Sequence, residues 1–225
     1  ILGYGDERVD AAARQGIEFG GVTALATALE ANVAELMVAM VPGIEQVRFA
    51  NSGSEAVATA LRVARAVSGR DGFVMVEGAF HGMFDSVLWR TQMETWNPAS
   101  GQPPEVLPFG RGVPLAHRDL VGVVPLNDAE ALRSLFKREG SRIGAFIIEP
   151  ILGNCCSIPA TQAYLQDVRA MCDEYGIVLI FDEVKTGFRV ARGGAQELYG
   201  VLPDLCTFAK AMGNGYPIAA LGGKR

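Results

Sequence analysis

Several residues that chemistry can use stand directly after apolar runs of this 225-residue chain. Asp182 and Glu183 follow the run 177–181, and a carboxylate at the end of a buried strand is costly unless a cation or a donor meets it. Three roles are open for Asp182: a Mg²⁺ ligand in a nucleotide hydrolase, a structural acid paired with Arg189, or a partner for the protonated ring nitrogen of a cofactor. The first needs a GxxxxGK[ST] phosphate loop. The chain has none, since its Gly223-Lys224 step is followed by Arg225. After the run 47–50 comes Asn51-Ser52-Gly53-Ser54-Glu55. Ser52 and Glu55 have the spacing of a capping box, in which each side chain satisfies a free backbone N–H. Hydroxyls, a glycine and a helix N-terminus together also make an anion cup able to hold a phosphate. The four lysines are Lys137, Lys185, Lys210 and Lys224. Lys137 falls on the polar face of a helical stretch and Lys224 at the chain end. Lys185 lies three residues beyond Asp182, and Lys210 follows the run 205–208 among Ala209, Ala211, Met212 and Gly213. A lysine in a turn is ordinarily a solvated cation. One with apolar neighbours can lose its proton, which Schiff-base chemistry requires.

The elements that must position these groups can be read from hydropathy. Short apolar runs at 47–50, 73–76, 121–124, 145–148, 177–181, 205–208 and 218–221 are expected as strands. The stretches 53–68, 128–139 and 161–175 carry apolar residues at three-to-four spacing and are expected as helices, as are 6–18 and 24–40. Strands without polar alternation, separated by helices, predict an α/β fold: a mostly parallel sheet with helices on both faces. Ligands of such sheets bind beyond the carboxyl ends of the strands, where the polar residues above fall. Residues 91–120 break the rhythm, with prolines at 98, 103, 104, 108 and 114 that should limit helix and sheet. A loop of that length is either a lid or a passive insertion.

Composition narrows the function. Apolar residues make up 49% and charged residues 20%, enough for a core and unlike a disordered chain. A net charge of −5 without a Lys/Arg block argues against nucleic-acid binding. No apolar run is long enough to span a membrane and no secretory signal pattern opens the chain, so a cytoplasmic protein is expected. Cys155, Cys156, Cys172 and Cys206 lack metal-ligand spacing and are expected to be reduced. The start at Ile1 and the stop at Arg225 suggest a piece of a longer protein.

A phosphate cup, a strand-end Asp and an apolar-flanked Lys on three strand ends together describe a pyridoxal 5'-phosphate site. Around these residues the sequence resembles the class III aminotransferases, fold-type I pyridoxal phosphate enzymes. The likeness rests on Asn51-Ser52-Gly53-Ser54-Glu55-Ala56, Phe80-His81-Gly82, Glu149-Pro150, Asp182-Glu183-Val184-Lys185-Thr186-Gly187-Phe188-Arg189 and Lys210, in the family's order over nearly the whole chain. It implies that Ser52, Gly53 and Ser54 bind phosphate, that Phe80 stacks on one ring face and Val184 presses on the other, and that His81 flanks the site. Asn154 would lie near the ring hydroxyl, Asp182 at the ring nitrogen, and Lys210 would be Schiff-base lysine and proton shuttle. For Phe80 and Val184, ordinary core packing is the competing role. The cofactor would pass through its pyridoxamine form in turnover.

The resemblance further implies that residues 1–225 are the cofactor-binding large domain, with an N-terminal segment and a C-terminal small domain outside it. It implies a homodimer when complete and a small amino acid or amino aldehyde as substrate. It also favours a lid for 91–120. Within the family, Glu149-Pro150-Ile151-Leu152-Gly153-Asn154, Arg189-Val190-Ala191 with Gly194-Ala195-Gln196, and Gly200-Val201-Leu202-Pro203-Asp204-Leu205 are most like the aminomutase branch. Phe80, Lys185 and the pair Cys155-Cys156 after Asn154 depart from the common pattern. Phe80 stands where most members carry Tyr, and Lys185 where the aminomutases carry Met. Both keep open a transaminase of β- or ω-amino compounds. A nucleotide-binding α/β domain is the remaining alternative.

Overall fold

The computed structural model describes residues 2–20, 25–92 and 103–225. Two helices, α1 (Glu7–Glu18) and α2 (Ala28–Met40), precede β1 (Gln46–Ala50), α3 (Gly53–Ser68) and β2 (Gly72–Val76). Short strands β3 (Trp89–Thr91) and β4 (Val106–Pro108) follow, then β5 (Val121–Val124), α4 (Ala129–Glu139) and β6 (Ile143–Ile148). A small hairpin of β7 (Ile151–Leu152) and β8 (Ile158–Pro159) leads into α5 (Gln162–Tyr175), β9 (Val178–Asp182), α6 (Ala195–Tyr199), β10 (Leu205–Phe208) and β11 (Ala219–Gly223).

The main sheet has seven strands in the order β1-β11-β10-β9-β6-β2-β5. From β10 to β5 all neighbours are parallel, whereas β11 runs antiparallel to both β10 and β1. The expected class is therefore what the chain adopts. All seven apolar runs read as strands are in this sheet, and the five helical stretches are helices with ends shifted by a few residues.

Alternation along the buried strands divides the core in two, because successive side chains leave opposite faces. Phe73, Met75, Ala145, Ile147 and Ile180 pack with Val57, Ala60, Leu61 and Ala64 of α3. Val74, Val76, Phe146, Ile148, Leu179 and Phe181 pack with Leu132 and Phe136 of α4 and Leu165, Val168 and Cys172 of α5. Each such aliphatic or aromatic side chain removed from water contributes about 1.5–3 kcal/mol. Local signals set the helix ends. Ser52 caps α3 at its start, and Gly69 and Gly176 close α3 and α5 in the left-handed conformation that glycine tolerates.

In the proline-rich stretch, 93–102 lie outside the described residues. The described remainder is more ordered than its composition predicts. β4 pairs antiparallel with β3, with Pro108 opposite Trp89, and a 3₁₀ helix spans Leu115–Leu120. Pro108 is tolerated because the pair has only two strands, so a proline can sit at an edge.

Candidate functional site

The carboxyl ends of β1, β2, β6, β9 and β10 converge on a cavity of about 230 Å³. It is lined by Ser52, Gly53, Ser54, Phe80, His81, Asp182, Val184 and Lys210. Eight of the nine residues singled out from the sequence thus share one space, although they span 158 positions from Ser52 to Lys210.

The start of α3 forms one wall. The capping box is present: Ser52 Oγ accepts the Glu55 N–H at 3.3 Å, and Glu55 Oε2 accepts the N–H groups of Asn51 and Ser52, each at 2.8 Å. Capping and anion binding are compatible here, because the cap leaves the N–H groups of Gly53 and Ser54 without an acceptor among the described residues. Ser54 Oγ accepts the Met83 N–H at 3.1 Å and thereby ties the loop after β2 to this wall. Gly82 lies between them at φ +117°, where a Cβ would come within 2.6 Å of Ser54 Oγ. Only glycine fits. Opposite Gly53 stands Val184, whose methyls a Cβ at position 53 would meet at 3.0 and 3.2 Å.

Asp182 ends β9 at 3% exposure. Its Oδ2 lies 2.8 Å from His81 Nδ1, and Oδ1 accepts the Val184 N–H at 3.1 Å and the Thr207 hydroxyl at 3.2 Å. Thr207 is its register partner on β10. Of the roles left open from sequence, the pairing with Arg189 is not found among the described residues; the partners of Asp182 come from the loop after β2, from β10 and from its own turn. With Asp182 Oδ2 as acceptor, His81 Nδ1 is the donor of this contact. His81 Nε2 is then left buried without a partner among the described residues.

Lys210 opens a 3₁₀ turn after β10 at φ +49°, a left-handed conformation rare for a side chain of this size. Its surroundings differ from the expected apolar setting. The residue is exposed to the cavity, with no hydrogen bond or ion pair among the described residues. Partial burial, then the charge of Lys185, holds its amine below the ordinary lysine value, while Asp182 and Glu149 pull the other way.

Asn154 is the expected residue that does not line this cavity. It borders a neighbouring one with Phe80, Trp89 and Phe109, and its Oδ1 receives a hydrogen bond from Lys185 Nζ. Glu149, Tyr216 and Ile218 are among the lining residues that had no assigned role from sequence. Glu149, 2% exposed after β6, accepts the Phe80 N–H at 2.8 Å and the Gly153 N–H at 3.2 Å, and so fixes the backbone of Phe80. Its strand-end position was the same signal that drew attention to Asp182. Tyr216 and Ile218 come from the return between β10 and β11, and Tyr216 Oη donates to Asp10 Oδ1 of α1 at 3.0 Å. No spacing rule would have found them.

Two unpartnered amides at a helix start, an unpaired amine, a carboxylate set beside a buried imidazole, and an aromatic and a valine on the lining fit a phosphorylated, aldehyde-bearing aromatic ring. Among the described residues there is no cluster of three or more candidate metal ligands and no helix long and apolar enough to cross a membrane.

Comparison with solved structures agrees with this geometry. The ω-transaminase of Sphaerobacter thermophilus superposes with a TM-score of 0.90 at 36% identity, over 98% of this chain and 50% of that one. The β-phenylalanine aminotransferase of Variovorax paradoxus matches with a TM-score of 0.79 at 30% identity, over 99% of this chain and 46% of that one. The glutamate-1-semialdehyde aminomutase of Pseudomonas aeruginosa PAO1 shares the fold, with a TM-score of 0.87 at 23% identity over 100% of this chain and 47% of that one. The chain thus spans about half the length of these proteins. The sequence profile of the family Aminotransferase class-III matches residues 1–225, and the chain belongs to the class III aminotransferases.

Proposed function

We propose that the protein transfers amino groups with pyridoxal 5'-phosphate, the cofactor of class III aminotransferases. The observation that carries this reading is the meeting of Lys210, the His81–Asp182 pair and the open start of α3 in one cavity at the strand ends. When bound, pyridoxal phosphate supplies an aldehyde that condenses with amines and a protonated pyridine ring that accepts the electrons of a broken Cα–H bond.

Each residue then has a task. The N–H groups of Gly53 and Ser54, at the positive end of α3, bind the phosphate, with Ser52 holding the turn. Phe80, pinned by Glu149, and Val184, seated on Gly53, would bracket a bound ring. Asp182, oriented by Thr207 and by the Val184 N–H, keeps a proton on the ring nitrogen, and His81 backs the carboxylate. Lys210 holds the cofactor between turnovers and moves the substrate proton, which its weak hold on its own proton favours. Asn154 acts near the ring hydroxyl through Lys185. In the complete protein a homodimer would place two such sites at its interface.

A transaminase of β- or ω-amino compounds is the favoured substrate class. The likeness to the Sphaerobacter and Variovorax enzymes is at 36% and 30% identity, whereas the likeness to the aminomutase, at 23%, carries the fold alone. Phe80 and Lys185 also depart from the aminomutase pattern. The run Glu149–Asn154 favours the second reading, amino exchange within one five-carbon skeleton to give 5-aminolevulinate for tetrapyrrole synthesis.

The test uses the full-length protein. With pyridoxal phosphate it should show a visible absorbance band that borohydride bleaches, and peptide mass should place the trapped adduct on Lys210. A protein with no such band, or with the adduct on Lys185, would refute the assignment. Amino donors then separate the substrate readings: turnover of β- or ω-amino compounds supports the first, and of glutamate-1-semialdehyde alone the second.

A further inference from the structure

Lys185 is held as few surface lysines are. Its Nζ donates to Asn154 Oδ1 and lies 3.9 Å from Glu149 Oε2. Glu149 is itself immobile, since its two oxygens accept the N–H groups of Phe80 and Gly153. The lysine stem crosses directly over Gly153, where any Cβ would collide with Lys185 Cδ. A side chain there would push the amine off both anchors. The turn after β6 is thus shaped around this lysine, and Lys185 lines the same cavity as Lys210.

The two amines are held differently. Lys185 has a hydrogen-bond acceptor in Asn154 Oδ1 and a carboxylate oxygen of Glu149 at 3.9 Å. Lys210 has neither among the described residues, and every charged group facing it acts through space. Asp182 and Glu149 favour its ammonium, while Lys185 and Arg189 oppose it. His81 and Tyr216 complete the titratable lining. Of the two amines, only Lys185 is anchored among the described residues.

We propose that Lys185 is a positioning residue of the amino-transfer site: a fixed ammonium, strung between Asn154 and Glu149, whose charge sets the protonation of the Lys210 amine. The proposal rests on the function assigned above to Lys210, but its test does not require cofactor or turnover. Lys185 does not replace Lys210. It carries the positive charge so that Lys210 need not, and Asn154 contributes by holding it in place.

The experiment is competitive labelling of the full-length, cofactor-free protein with acetic anhydride across pH, with acetylation of Lys210 and Lys185 read by peptide mass. Wild-type Lys210 should label at lower pH than Lys185. Lys185→Met removes the charge while keeping the bulk, and should move the Lys210 midpoint toward alkaline pH by about one unit. Lys185→Arg retains the charge and should leave the midpoint near wild type. Asn154→Ala loosens one anchor and should give a smaller shift in the same direction as Lys185→Met. Thermal melts confirm that each variant is folded, and the Arg variant serves if the Met variant is not. A Lys210 midpoint unmoved in folded Lys185→Met, or moved equally by Met and Arg, would overturn the proposal. So would wild-type labelling in which Lys185 reacts at the lower pH. Because the readout is the amine alone, a protein that fails to bind pyridoxal phosphate would refute the proposed function while leaving this result standing.

Discussion

Asp182 and Glu183 are neighbours at the end of β9, both almost fully buried, and strand alternation sends them to opposite faces of the sheet. Asp182 leaves on the face that carries α3 and meets His81 at the cavity wall. Glu183 leaves on the other and is closed in by donors: the N–H of Ala195 at 2.6 Å, the N–H of Gln196 at 3.1 Å, the Gln196 amide at 3.3 Å and the Thr186 hydroxyl at 2.7 Å. Gly194 lies so close that a Cβ there would strike the Glu183 carboxyl. One carboxylate is buried at the edge of a space that admits a ligand. The other joins the turn after β9 to the start of α6. Burial alone therefore does not mark a working carboxylate. What distinguishes Asp182 is that it lines the cavity, with the buried imidazole of His81 beside it, whereas Glu183 does not.

Substitution at each position separates the two roles. Asp182→Asn keeps the shape and removes the charge, so turnover of the full-length enzyme should fall by about two to four orders of magnitude while the cofactor still binds. Near-normal turnover in that variant would show that Asp182 is a second Glu183. Glu183→Gln should do the reverse. Placing an amide against donors leaves buried N–H groups poorly matched, and stability should drop by about 2–4 kcal/mol in urea unfolding, with activity per folded molecule retained. Loss of turnover without loss of stability would place Glu183 in the site.

The smallest effect concerns the cost of the site to the fold. Lys210 has a folded-state value below its ordinary one. Its ammonium is thus less welcome in the folded state, and this penalty is fully present below the folded value and disappears as pH rises through the ordinary value of 10.5. Lys210→Ala should therefore melt slightly higher than wild type at pH 7, with the gain fading toward pH 10.5. A variant that melts lower at pH 7 would show that the amine stabilises the fold.

Much of the scaffold was legible because the sheet is buried on both faces. Runs such as 73–76 and 145–148 have no polar alternation to confuse them with anything else, and the α3 capping box announces its own helix. What escaped notice was short or assembled over distance. β3 and β4 are three residues each, and Pro108 argued against one of them. The pairing of His81 with Asp182 joins residues 101 apart, and no local period encodes it. Arg189 looked like a partner for Asp182 by proximity in sequence, yet the turn after β9 supplies a backbone N–H instead. Asn154 and Lys185 each stood out in the sequence, but their contact depends on Gly153 giving way, a property of the turn rather than of either residue.

The antiparallel course of β11 has a consequence for how such a protein can change. A parallel crossover would carry the chain from Lys210 away to the far edge of the sheet before it returned. Because β11 reverses direction, the return begins and ends at the site, and Tyr216 and Ile218 are delivered to the cavity by the same short segment that carries the lysine. Variation in that return alters the chemical surroundings of Lys210 without moving a strand of the parallel half. Selection, natural or in the laboratory, can revise selectivity there while inheriting the scaffold unchanged.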